Sequence, residues 1–142
     1  NTANFFHSQW QTTVEMPHYL VIDLGEEVSA IKFRSTNTNR VNDSSWKTIN
    51  LYTSDSYNPA EWFDGVQFID GNSVDISQAG THKETTLTEL PDGVDEVYNS
   101  EIIPLSKPSR YLWFEVPETT KGTPYFALGE LEIYQCSMVV LE

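Results

Sequence analysis

Short runs of β-branched and aromatic residues, each closed by turn-forming residues, constrain this chain more than any other feature. Tyr19-Leu20-Val21-Ile22-Asp23-Leu24 is a compact apolar run that ends at Gly25. Ile31–Arg34 and Thr48–Thr53 alternate with a period of two, Arg110–Val116 is stopped by Pro117, and Leu128–Tyr134 forms the last strong run. Weaker strand signals occur near Gly65–Ile69 and Thr85–Leu90. Such runs, bounded by Gly, Pro, Asn, Asp and Ser, mark strands packed on one face. No stretch combines a helical period with helix caps. The expected class is all-β, either a sandwich or a squat barrel.

The 142 residues suit one domain spanning 1–140, and Leu141-Glu142 reads as a vector-derived tail outside the fold argument. Hydrophobic residues make up 39% and aromatics 13%, enough for a genuine core. No apolar run approaches the ~20 residues of a membrane-spanning helix. The opening Asn1-Thr2-Ala3-Asn4 lacks signal-peptide character, so an export signal would lie upstream. Eight basic against twenty-one acidic residues give a net charge of −13. That charge repels phosphate backbones and anionic headgroups, which argues against nucleic acid and membrane surfaces as partners. Cys136 is the only cysteine, so no intrachain disulfide forms.

Two long connections are candidate carriers of function, because loops on a rigid scaffold often are. Ser35–Ser45 is rich in Asn, Ser and Thr, which favour turns. Asp55–Ser109 contains the acidic segment Glu89–Glu101 together with Pro91, Pro104 and Pro108. No catalytic constellation stands out: there is no nucleophile elbow and no phosphate-cradling Gly-rich loop. His7, His18 and His82 share no metal-ligand spacing. Twenty-one acidic residues make any single carboxylate pair uninformative. The domain is therefore not expected to be an enzyme.

Five pieces in order carry a family resemblance. Asn4-Phe5-Phe6-His7-Ser8-Gln9-Trp10 and Pro17-His18-Tyr19-Leu20-Val21-Ile22-Asp23-Leu24-Gly25 come first. Leu51–Asp55 with Trp62, then Ser109–Phe114, and finally Gly129-Glu130-Leu131-Glu132-Ile133-Tyr134 follow. Together they resemble the discoidin, or coagulation factor 5/8 type C, domain. The opening is closest to bacterial family 32 carbohydrate-binding modules. The resemblance implies a galactose-binding-domain-like jelly-roll sandwich of about eight strands, with ligand loops at one end. It also implies a bacterial secreted, periplasmic or cell-surface location. The parent would be a chitobiase-like or other hexosaminidase, or a surface protein. The disulfide usual in the clotting-factor branch cannot form with Cys136 alone.

By that resemblance His7 bonds a sugar hydroxyl, against a structural role beside Trp10. Galactose-type modules place an arginine about three residues beyond the aromatic of the second strand; counting from Phe33 reaches Thr36. Arg34, Asn37, Asn39 and Arg40 lie nearby, with Arg40 the best substitute at the loop tip. Before the last strand, Tyr125 or Phe126 would stack on the sugar while the other packs inward. Trp10, Trp46, Trp62 and Trp113 read mainly as core, with Trp46 bordering the polar loop. A structural calcium near the N-terminus would take Asn1, Asn4 and Glu130, since hard oxygen ligands suit it.

The function expected is a non-catalytic module that targets a covalently linked glycosidase or surface domain to a neutral glycan of galactose or N-acetylhexosamine type. The alternative is a structural or protein-adhesion module without a sugar site, which Thr36 in the arginine position favours. A hydrolase in its own right is the weakest reading.

Overall fold

The computed structural model describes residues 2–3, 6–7, 17–40, 43–56, 66–69, 76, 80–123 and 126–136. Ten strands run through them: β1 (Thr2–Ala3), β2 (Phe6–His7), β3 (His18–Thr36), β4 (Trp46–Ser54), β5 (Val66–Ile69), β6 (His82–Leu87), β7 (Val97–Asn99), β8 (Ile103–Thr119), β9 (Ala127–Leu128) and β10 (Glu130–Cys136). The chain is all-β, built on an antiparallel sheet that curls over one main core as a sandwich does. The main path runs β1-β10-β3-β8-β4-β6, with β5 and β7 also paired to β3. A short β2–β9 ladder lies apart from it.

Two runs that the sequence separates are one strand. The apolar run of Tyr19–Leu24 and the alternating run of Ile31–Arg34 both lie in β3, which bends rather than stops at Gly25. Gly25 has a φ of +86°, a conformation that costs glycine little. β8 follows the bend, pairing His18–Asp23 through Val116–Tyr111 and Ala30–Ile31 through Pro104–Ile103. Register shifts between Asp23 and Ala30 absorb the turn. Pro117 does not stop β8, which runs on to Thr119. Pro104 and Pro108 also lie within β8, near those shifts, where a missing N–H is tolerated.

An ion pair holds the bend. Arg110 donates from Nε to Asp23 Oδ1 at 2.7 Å and from Nη2 to Oδ2 at 3.0 Å. The Gly25 N–H donates to the same Oδ1 at 2.8 Å. A fork-on-carboxylate geometry of this kind is among the stronger polar contacts. The Arg110 bonds, with help from the Gly25 amide, hold the Asp23 carboxyl below the ordinary Asp range despite partial burial.

Alternate residues of β3 explain why its first half reads as a continuous apolar run. Leu20 and Ile22 enter the main core, together with Ile31, Phe33, Trp46, Leu51, Leu112 and Phe114. Tyr19 and Val21 point to the other face, where they pack with Trp113 and the half-buried Tyr52, Ile76 and Tyr111. A strand covered on both faces has no polar alternation to show. On that outer face the buried Glu115 accepts Tyr19 Oη at 2.8 Å and Asn50 Nδ2 at 2.8 Å. Trp113 Nε1 donates to Ser54 Oγ at 3.0 Å.

Asp23→Asn should lower stability at neutral pH, where the ion pair is fully formed. Because folding lowers the Asp23 pKa, its contribution is present above the unfolded value of 3.8 and fades as pH falls through the folded one. Urea denaturation of both proteins should therefore show the gap narrowing in acid; a gap independent of pH would contradict this account.

Candidate functional site

Three connections converge at one end of the sandwich. β3 ends at Thr36, β4 begins at Trp46, β8 ends at Thr119, and β10 begins at Glu130. Register places these termini side by side, with Glu130 opposite Thr36 and Trp46 opposite Thr119. Backbone bonds then tie the connections together. Ala127 N–H donates to Ser44 C=O at 2.8 Å, Thr120 N–H to Ser45 C=O at 2.8 Å, and Gly129 N–H to Thr36 C=O at 2.8 Å. β2 pairs with β9, so His7 lies opposite Ala127.

At this end an open groove of about 410 Å³ is lined by Thr36, Asn37, Thr38, Asn39, Arg40, Asp95, Gly129 and Glu130. Its closeness depends on Gly129. A Cβ there would lie 2.9 Å from the Asn37 carbonyl oxygen and 3.0 Å from that of Thr36, so no larger residue fits without moving backbone.

The wall from 36 to 40 is fixed by internal bonds. Asp43 accepts from Thr38 Oγ1 at 2.7 Å and from Arg40 Nε at 2.9 Å. The guanidinium is thereby held while its side chain stays half exposed. The facing wall is the turn 91–96. Asn37 N–H donates to Glu96 C=O at 2.9 Å, and Asp95 N–H donates to Thr38 C=O at 3.1 Å. Asp95 has a φ of +58°, in the left-handed region that Asp tolerates better than most residues.

Of the sequence-selected sugar residues, Asn39 and Arg40 reach the groove as exposed side chains. Asn37 lines it too, but is buried, and its Nδ2 is spent on the Pro91 and Gly93 carbonyls at 3.0 and 2.8 Å. Its amide nitrogen is a structural staple, a correction to its expected role as a sugar donor. Phe126 takes the inward of the two roles expected for the Tyr125/Phe126 pair and is not a surface platform. It is fully buried, with its ring 6.0 Å from Trp46 and 6.4 Å from His18. Tyr125 lies outside the described residues. His7 is placed by its backbone on β2. Trp46 and Trp113 are core, whereas Trp10 and Trp62 lie outside the described residues.

Of the calcium residues, Asn1 and Asn4 lie outside the described residues, and β1 brings Thr2 beside Glu132. The hydrogen bond to Glu132, with burial and repulsion behind it, holds the Glu130 carboxyl above the ordinary Glu range. Glu132 is held below that range by the Tyr134 hydroxyl and by Glu130, with a weaker contribution from Arg34, whose Nη1 is 3.8 Å away. Two adjacent carboxylates are the donor type that calcium takes. Among the described residues no group of three His, Cys, Asp or Glu side chains is arranged to hold a metal.

Sequence reading did not select Thr38, Asp95 or Gly129. Asp95 sits in an obvious acidic turn, but nothing local indicates that the turn folds back onto residues 36–40. Gly129 carries a signal only in retrospect, as a glycine inside a strand pattern, which marks close backbone approach.

No protein-family model matches the chain, and no curated protein does. Several solved structures share its fold, among them two from Bacteroides. One is the C-terminal domain of a chitobiase from Bacteroides fragilis, 14% identical, with a TM-score of 0.62 over 95% of this chain and 74% of that one. The other is a fragment of a protein described as a chitobiase from Bacteroides thetaiotaomicron, 18% identical, with a TM-score of 0.59 over 96% of this chain and 71% of that one. Identity at this level speaks to the fold alone.

Asn37→Ala removes the donor from the half-buried Pro91 carbonyl and one of two donors from Gly93, which keeps the Glu96 N–H at 3.3 Å, and should cost about 1 kcal/mol, the usual net worth of such hydrogen bonds. Amide exchange should rise selectively in residues 91–96; unchanged protection there would remove the staple role.

Proposed function

We propose that this domain is a non-catalytic carbohydrate-binding module that holds a covalently attached glycoside hydrolase or cell-surface protein near glycans of the galactose or N-acetylhexosamine type. One observation carries the reading: residues 36–40 and 129–130 meet Asp95 around an open groove at one end of the sandwich. Asp95 and Glu130 offer acceptors for sugar hydroxyls, while Asn39 and Arg40 offer donors. Arg40 supplies a guanidinium close to the position where Thr36 stands instead of the arginine of galactose-type modules. A preorganised wall lowers the ordering cost of binding, and an open site still keeps affinity modest. The two solved domains of similar fold come from proteins described as chitobiases, which supports an accessory role beside a glycosidase.

Titration calorimetry with galactose and N-acetylhexosamine ligands tests the proposal. Binding should be weakened about tenfold or more by Arg40→Ala or Asp95→Ala, the loss expected when a site hydrogen bond to a charged group is removed. Absence of binding across a glycan array would leave the adhesion-module reading in its place.

A calcium ion beside β1 and Glu130 belongs to the same proposal. Calcium should raise the melting temperature of the domain, and Glu130→Gln should abolish the rise. An equal rise in both proteins would place the ion elsewhere.

A further inference from the structure

A second groove, of about 500 Å³, shares no lining residue with the first. It lies between β6 and the stretch from β7 into β8, with Glu84 and Leu87 on one side and Tyr98, Glu101, Ile102 and Ile103 on the other. Leu87, Tyr98 and Ile103 are half-buried and pack against the main core, so the groove floor is the uncovered flank of that core. The Tyr98 ring is anchored 5.6 Å from Phe33. Ile102 is 57% exposed at the lip, and Val97 is 41% exposed on the neighbouring strand. Singly exposed apolar residues are ordinary, but apolar side chains gathered along a concave core flank mark an interaction surface.

Two features define the occupant. β6 is the terminal strand of the sheet path, and β7 is paired only to β3 among the described residues. The groove is therefore flanked by two sheet edges, and an unpaired edge is a template for another extended segment. Charge defines the rest. From Glu84 to Ser106 the sequence has six carboxylates and no Lys or Arg. Glu84 is held in place by accepting Thr53 Oγ1 at 2.7 Å and Ser106 N–H at 2.9 Å. A second copy of this chain, itself at −13, would be repelled.

We propose that this groove docks an extended protein segment that alternates Lys or Arg with apolar residues, laid along the β6 and β7–β8 edges. The apolar side chains would cover Leu87, Tyr98 and Ile103, and the cations would face Glu84 and Glu101, the two carboxylates that line this groove. The surface is independent of the sugar groove, so either proposal can fail without the other.

The probe is a capped peptide alternating lysine with valine, titrated into isotope-labelled protein. Amide shifts should be confined to residues 82–87 and 97–104. Ile102→Asp, at an exposed position, should weaken binding about tenfold, as for an interface anchor, and should leave any glycan binding unchanged. A control peptide of equal charge with prolines replacing alternate valines cannot pair with a sheet edge and should not bind. Equal binding by the control would overturn the proposal, because charge alone would suffice. Shifts spread over the whole acidic surface would overturn it for the same reason. A monomer–dimer equilibrium abolished by Ile102→Asp would overturn it in favour of a second copy as the occupant.

Discussion

Four aromatic rings join the parts of this domain, and everything at its loop end hangs from them. Phe33 comes from the second half of β3, Trp46 from the start of β4, Phe114 from β8, and Phe126 from the segment before β9. Phe33 meets Phe114 edge-on at 5.2 Å; Trp46 lies 5.5 Å from Phe114 and nearly parallel to Phe126 at 6.0 Å. Edge-to-face and offset stacking are the favoured geometries, and removing one such ring from a core costs about 3–5 kcal/mol. Because Phe126 is seated, the three residues after it have little freedom. Ala127 and Gly129 then reach Ser44 and Thr36 with ordinary backbone bonds.

The second requirement is that one ladder serve two faces of the molecule. β3 and β8 stay paired across the bend, and the Asp23–Arg110 fork with the Gly25 turn fixes where it occurs. Burial of Tyr19, Val21 and Trp113 on the outer face gives the first half of β3 a second, smaller core. Its polar rim, Glu115 with Tyr19 and Asn50, shows how a buried carboxylate is tolerated: both oxygens accept hydrogen bonds.

These constraints leave two different surfaces. The loop-end groove is polar and rigid, braced by Asn37, Asp43 and the close contact at Gly129. Such walls suit small, hydroxyl-rich ligands whose recognition depends on fixed donors and acceptors. The flank groove is apolar at its floor and acidic around it, which suits a side-chain-bearing chain.

The strand runs were legible in the sequence because each carries its own evidence: β-branched and aromatic residues in short runs, closed by turn formers. So were Trp46 and Trp113 as core and one inward ring in the Tyr125–Phe126 pair. The candidate site was half legible. Asn39 and Arg40 announce themselves as polar residues of a turn-rich loop, whereas Asn37 three positions from the tip reads the same and is buried. Which Asn faces solvent depends on where the turn 91–96 lands, more than fifty residues away along the chain. Pairing at that separation is set by the summed packing of the core and leaves no local mark. The sequence by itself thus determined that the chain is all-β and where its strongest apolar strand runs lie. Tertiary structure alone decided that two runs are one bent strand, that Asp95 and Gly129 complete a groove, and that an apolar flank stays open.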